Sequence, residues 1–201
     1  MKSIVRRVID LFFKLYNYYK LSGQNIKVGR KLCINGAIVF GIMQGAELKI
    51  GDCVKINSGM RYNAIGGDTK TILVASSGGK IVIGNNVGIS NTTIVSSESI
   101  VIGDDVYIGG SVKIYDTDFH WLDFKKRISE RGGISKPVWI KKGAFIGAHS
   151  IILKGVTVGE KSIVGAGSVV SRSIPDGEIW AGNPARFLRK IDDASDSNHL
   201  K

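Results

Sequence analysis

"IKKGAFIGAHSIILKGVTVGEKSIVGAGSVV", Ile140 to Val170, is the stretch whose reading decides the fold. Aliphatic residues stand at Ile140, Ile146, Ile152, Val158, Val164 and Val170, in unbroken steps of six. Four residues after each come Ala144, Ser150, Val156, Ser162, Ser168 and Ile174, mostly small or β-branched. A helix repeats every ~3.6 residues and a strand every ~2, so a strict six requires a corner in every hexapeptide. Earlier runs keep the phase: Val28, Ile34 and Phe40; Ile50 and Ile56; Ile83 and Ile89; Ile102, Ile108 and Ile114.

Hexapeptide periods of this kind are a signature of a parallel β-helix. Three short strands make a triangular coil, coils stack about 4.8 Å apart, and the six-position aliphatics form ladders inside. Residues 26–185, less one interruption, predict about seven coils. The residue after the aliphatic is often glycine, as at Gly29, Gly103 and Gly147, or asparagine at Asn35 and Asn57. These read as residues that tolerate positive φ at a corner.

The other features surround this core. Residues 1–22 predict an amphipathic helix, with Ile4, Val8, Leu11, Phe12, Leu15 and Tyr19 on one side and Arg7, Asp10, Lys14 and Asn17 on the other. Two dispositions are open to it: against an anionic membrane surface, or docked on the prism. Residues 23–191 form the β-helix domain and 192–201 a polar tail. In a chain of 201 residues, 43% hydrophobic content indicates a globular domain. A net charge of +11 suits a phosphate-rich ligand, nucleic acid or an anionic surface. No stacking aromatics interleave with a basic stripe, which argues against nucleic acid. Cys33 and Cys53 read as reduced core residues. No signal peptide is evident and no segment is long and apolar enough to span a bilayer.

Between Ile114 and Ile140 the phase slips into "YDTDFHWLDFKKRISERGGISKPVW". A coil interior cannot absorb these side chains, so residues 115–137 predict a loop projecting from a rigid scaffold, where function commonly sits. His120 lies there, with Asp116 and Asp118 four and two residues before it. Spacing alone leaves it open whether His120 is a solvated loop residue or a base. His149 falls inside a regular hexapeptide and reads as a turn residue; His199 is in the tail. "GVTVGEKS", Gly155 to Ser162, is one residue short of a P-loop and carries repeat positions. There is no G-x-S-x-G elbow for a serine nucleophile.

The repeat, the His-bearing excursion and the close "VGAGSVVSRSIPDGEIWAGNPARFLRKI", Val164 to Ile191, together resemble the hexapeptide-repeat acyltransferases, nearest the bacterial sugar O-acetyltransferases of the surface-polysaccharide and maltose or galactoside type. The resemblance implies an all-β, left-handed parallel β-helix. It implies acetyl-CoA as cosubstrate, a sugar hydroxyl as acceptor, and His120 as general base. Asp116 or Asp118 would support the imidazole, with Asp116 favoured. Ala148 and Ala166 would offer backbone contacts to the pantetheine arm, Arg172, Arg186 and Arg189 would meet the phosphates, and Asn91 would face the acceptor. It further implies a homotrimer in which two subunits complete each site. A cytoplasmic location is expected, at the inner face of the membrane if residues 1–20 take the first of their two dispositions, and no metal is expected. The alternatives are an N-acetyltransferase acting on an amino sugar and an inactive prism serving as an assembly module. The γ-class carbonic anhydrases share the fold, but three dispersed histidines do not suit a zinc site.

Overall fold

The computed structural model describes residues 2–22 and 26–191; the predicted polar tail, with His199, lies outside them. Each hexapeptide supplies one short strand, and every third strand returns to the same face. The first face holds Ile26–Val28, Glu47–Ile50, Lys80–Ile83, Ser99–Ile102, Val138–Ile140 and Thr157–Val158. The third face holds Val39–Ile42, Ile72–Ala75, Thr93–Ser96, Lys113–Tyr115, Ile151–Ile152 and Val169–Val170. The second face has eight strands, beginning with Cys33–Asn35 and ending with Glu178–Ala181 and the antiparallel Arg186–Lys190. The other pairings are parallel and bring like to like: Ile102 between Ile83 and Ile140, Ile114 between Ile94 and Ile152. Six coils are complete and a seventh is partial, close to expectation.

The inward positions are sealed. Ile140, Ile146, Ile152, Val158, Val164 and Val170 are at most 1% exposed, and so are Ala144, Ser150, Val156, Ser162 and Ser168. Burying an Ile or Val side chain contributes about 1.5–3 kcal/mol, and the ladders repeat this at every coil.

The corner glycines serve a different purpose from the one expected. Positive φ falls three residues after the aliphatic, at Gly143, His149, Gly155, Lys161 and Gly167. The glycine directly after the aliphatic is required by stacking. A Cβ on Gly147 would lie 2.5 Å from the Ala166 amide nitrogen, and one on Gly103 would lie 2.8 Å from that of Lys142. Asn35 and Asn57 are likewise stacked, the Asn35 side-chain amide donating to Asn57 Oδ1 at 2.9 Å. The cysteines also depart from expectation. Cys33 and Cys53 are exposed free thiols, one on an outward strand position and the other at a corner with φ 57°.

The first coil has no coil before it, so its edge must be satisfied otherwise. Helix α1, Lys2–Leu21, does this. Asn17 is 3% exposed; its amide donates to the Gly36 carbonyl at 2.8 Å and its oxygen accepts from Ile38 N at 3.2 Å. Asp10 accepts from the Tyr62 hydroxyl, and Phe13 packs edge-on to Tyr62 at 6.4 Å. The helix therefore meets the prism through Asp10, Phe13 and Asn17, while its apolar stripe is exposed.

Gly147→Ala should lower stability by about 1–3 kcal/mol through forced separation of two coils, measured by denaturant unfolding. A wild-type midpoint would show that coil spacing does not set this position.

Candidate active site

The excursion leaves the prism after Lys113–Tyr115 and rejoins at Val138, so it spans 116–137; Tyr115 belongs to the strand. Its base is a hairpin stem. Lys136 N donates to the Asp116 carbonyl at 2.8 Å, Asp118 N donates to that of Ile134 at 3.1 Å, and Thr117 bridges Ser135 antiparallel. A short helix, α2, Phe124–Ser129, forms the tip, and Asp123 caps it by accepting from Lys126 N at 2.8 Å.

His120 sits where stem meets tip. Phe119 before it takes φ 65° and packs edge-on to Tyr115 at 5.2 Å. Burial raises the Tyr115 phenol above its ordinary pKa. Gly133 passes so close that a Cβ there would lie 3.0 Å from His120 N. The backbone at His120 is thus held while its side chain is exposed. It lines an open cleft of about 500 Å³ with Phe119, Arg127, Ile128, Ser129, Glu130, Arg131 and Gly132.

The two acids divide in a way the sequence did not show. Asp116, the favoured partner of His120, is fully buried and turned into the preceding coil. Its Oδ1 accepts from Ser97 N at 2.7 Å; its Oδ2 accepts from Ser96 Oγ at 2.7 Å and Glu98 N at 3.0 Å. It ties the root of the excursion to the prism and is not an orienting acid for His120. Asp118 pairs through Oδ1 with Lys154 Nζ at 3.0 Å, while its buried Oδ2 has no hydrogen-bond partner among the described residues.

Asn91 is also structural. It is fully buried at φ 44°, accepts from Gly59 N at 2.6 Å and donates to the Asn63 carbonyl at 2.9 Å, so it does not face an acceptor. It anchors a second excursion, residues 58–71, which the sequence reading missed. The signal was present: stepping six from Ile56 meets Tyr62 and then Asp68 instead of aliphatics. This loop carries a short turn at Ala64–Gly66 and lies against the corner between the second and third faces, where Ser111 Oγ donates to the Gly66 carbonyl at 2.8 Å. His149, a turn residue at φ 62°, has Nε2 3.1 Å from the Ile65 carbonyl oxygen.

Ala148 and Ala166 stack at that same corner, with Gly167 N donating to the Ala148 carbonyl at 2.8 Å. The excursion with His120 leaves from the neighbouring corner, between the third and first faces. Arg172 occupies that corner two coils further on, and Lys154 lies between them. Arg186 and Arg189 are exposed on the last strand of the second face. One chain therefore does not gather all these residues at one corner.

Residues 137–172 match the bacterial transferase hexapeptide family, described as six repeats. That is the repeat of the coils themselves. The galactoside O-acetyltransferase of Escherichia coli K12 is 40% identical over 67 residues, 33% of this chain and 33% of that one. A Staphylococcus aureus protein that carries an acetyltransferase name is 41% identical over 86 residues, 42% of each chain. The match thus spans about a third to two-fifths of the length of these relatives. Among solved structures, a hexapeptide-repeat acetyltransferase of Vibrio cholerae complexed with acetyl-coenzyme A is 27% identical, with TM-score 0.58 and coverage of 89% of this chain and 79% of that one. A variant of the Bacillus cereus N-acyltransferase AntD, bound to dTDP-4-amino-4,6-dideoxyglucose and coenzyme A, is 25% identical, with TM-score 0.68 and coverage of 88% and 89%.

Asp116→Asn should cost about 1–3 kcal/mol in unfolding free energy, because an amide would turn a donor towards donors that now meet a buried carboxylate. His120→Ala should leave stability nearly unchanged. Equal unfolding midpoints for Asp116→Asn and wild type would remove the tethering role.

Proposed function

We propose that the protein is an acyltransferase that moves an acetyl group from acetyl-coenzyme A to a hydroxyl of a sugar, within bacterial surface-polysaccharide synthesis. The observation that carries this reading is His120, exposed in an open cleft on a stem braced against a hexapeptide prism. A thioester is already activated, whereas a sugar hydroxyl is a poor nucleophile. In its neutral form the His120 imidazole accepts the hydroxyl proton as the oxygen attacks the thioester carbonyl. The C–O bond forms, the C–S bond breaks, and the departing thiolate recovers the proton as a free thiol. Asp118, with an unused carboxylate oxygen, takes the supporting role first assigned to Asp116.

Coenzyme A is read as lying along the corner of Ala148 and Ala166, whose small side chains leave the backbone open to the pantetheine arm. Arg172, Arg186 and Arg189 are read as its phosphate partners, since a guanidinium binds two phosphate oxygens at once. His120 and the alanines leave from different corners of one chain, which supports a site completed between two copies. A closed homotrimer supplies three such junctions. Handedness, taken as left-handed, rests on the family resemblance, and the reading without a metal rests on the dispersed histidines. The cytoplasm is the proposed compartment.

A second reading, N-acylation of an amino sugar carried on a nucleotide, is favoured by the likeness to the AntD complex over 88% of the chain. It uses the same base and donor. The experiment is free-thiol release from acetyl-coenzyme A against de-acetylated glycans and amino-sugar nucleotides. Turnover with the first set supports O-transfer, and turnover with the second supports N-transfer. A panel silent with every acceptor would favour the inactive assembly module. In the active pairing, His120→Ala should lower kcat by roughly 10²–10⁴-fold, with coenzyme A binding by calorimetry unchanged. A wild-type rate in that variant would exclude His120 as the base.

A further inference from the structure

The exposed side of α1 has no partner among the described residues. Ile4, Val8, Leu11, Phe12, Leu15 and Tyr19 are 57–76% exposed. A helix advances about 100° per residue, so these six share one broad arc across the helix from Asp10, Phe13 and Asn17. That second set is what grips the prism. The fold has therefore used Asp10, Phe13 and Asn17 for docking and left a continuous apolar surface outward. A chain needing only to cover the open end of its first coil gains nothing from that arrangement.

The charges indicate what covers this surface. Within Lys2–Leu21 there are five basic residues and one acid, and the acid, Asp10, is turned towards Tyr62. Arg7 and Lys14 are exposed. A second copy of α1 would bring the same positive charge to the contact with no acid to balance it, whereas an anionic surface matches it. A helix with one apolar arc and basic flanks has the chemistry that lies in a headgroup layer. α1 is not long and apolar enough to cross a bilayer, which leaves it lying along the surface.

We propose that the outward face of α1 docks the protein on an anionic phospholipid surface, with the apolar arc in the acyl boundary and the basic residues at the headgroups. The inference is independent of the reaction, because binding is read without turnover. The test is co-sedimentation of the full-length protein with vesicles of phosphatidylcholine alone and of phosphatidylcholine mixed with phosphatidylglycerol. The protein should partition onto the mixed vesicles, and added salt should weaken this. Val8→Asp combined with Leu15→Asp should reduce partitioning by about tenfold or more, with thermal melting unchanged because both side chains are exposed. Should that pair perturb folding, Arg7→Glu combined with Lys14→Glu tests the charge while leaving the apolar arc intact. Three results overturn the proposal: no preference of the wild type for phosphatidylglycerol, undiminished binding by folded variants, or variants that change only the sedimentation coefficient of the free protein. The last would make the face a contact between copies.

Discussion

The spacing of one coil on the next is the constraint on which the rest of the structure depends. Parallel backbone pairing holds neighbouring coils about 4.8 Å apart, so whatever stands at a given position of one hexapeptide meets its counterpart in the next. Inside, this demands Ile, Val or a small residue at every repeat, and these are what the sealed ladders contain. At the corners it leaves no room for a side chain where two backbones pass, which is why Gly103 and Gly147 carry none. The same stacking joins the amides of Asn35 and Asn57. One distance accounts for the aliphatics, the glycines and the asparagines together.

A stack also has ends and interruptions, and each is closed by a dedicated residue. Asn17 supplies the first coil with two hydrogen bonds, one to the Gly36 carbonyl and one from Ile38 N. The antiparallel strand Arg186–Lys190 pairs with Glu178–Ala181 and so ends the second face. Asp116 closes the wound where the His120 excursion leaves, and Asn91 holds the second excursion by both ends of its amide. Asn17, Asn91 and Asp116 are buried polar groups that stand where the repeat ends or breaks, whereas Ser150, Ser162 and Ser168 occupy regular inward positions. Each is satisfied by donors or acceptors a coil away, consistent with the cost of leaving such groups unpaired. The exposed reactive side chain, His120, depends on this bracing, because a stem tied at its root presents the imidazole from a fixed place.

The repeat was legible because it is local and reiterated: every inward position is restated six residues later, so Ile140 to Val170 alone implies corners, ladders and coils. The His120 excursion was legible as a break in that phase, and the 58–71 loop could have been found by the same test at Tyr62 and Asp68. What the residues did for one another was not legible. Asp116 lies four residues before His120 in the chain, yet its hydrogen-bond partners Ser96, Ser97 and Glu98 belong to the preceding coil. Asn91 looked free to face a ligand, and only the folded loop shows both ends of its amide occupied.

By itself, then, the sequence determined the period, the inward residues, the site of the break and the amphipathic helix, because each follows from neighbours along the chain. Tertiary structure alone decided which face of α1 meets the prism, which acid is a tether, and that the glycines directly after the aliphatics answer to stacking and not to φ. The physical reason is the same in all three cases. These outcomes depend on groups about twenty or more residues distant in sequence that the stacking of coils brings into contact.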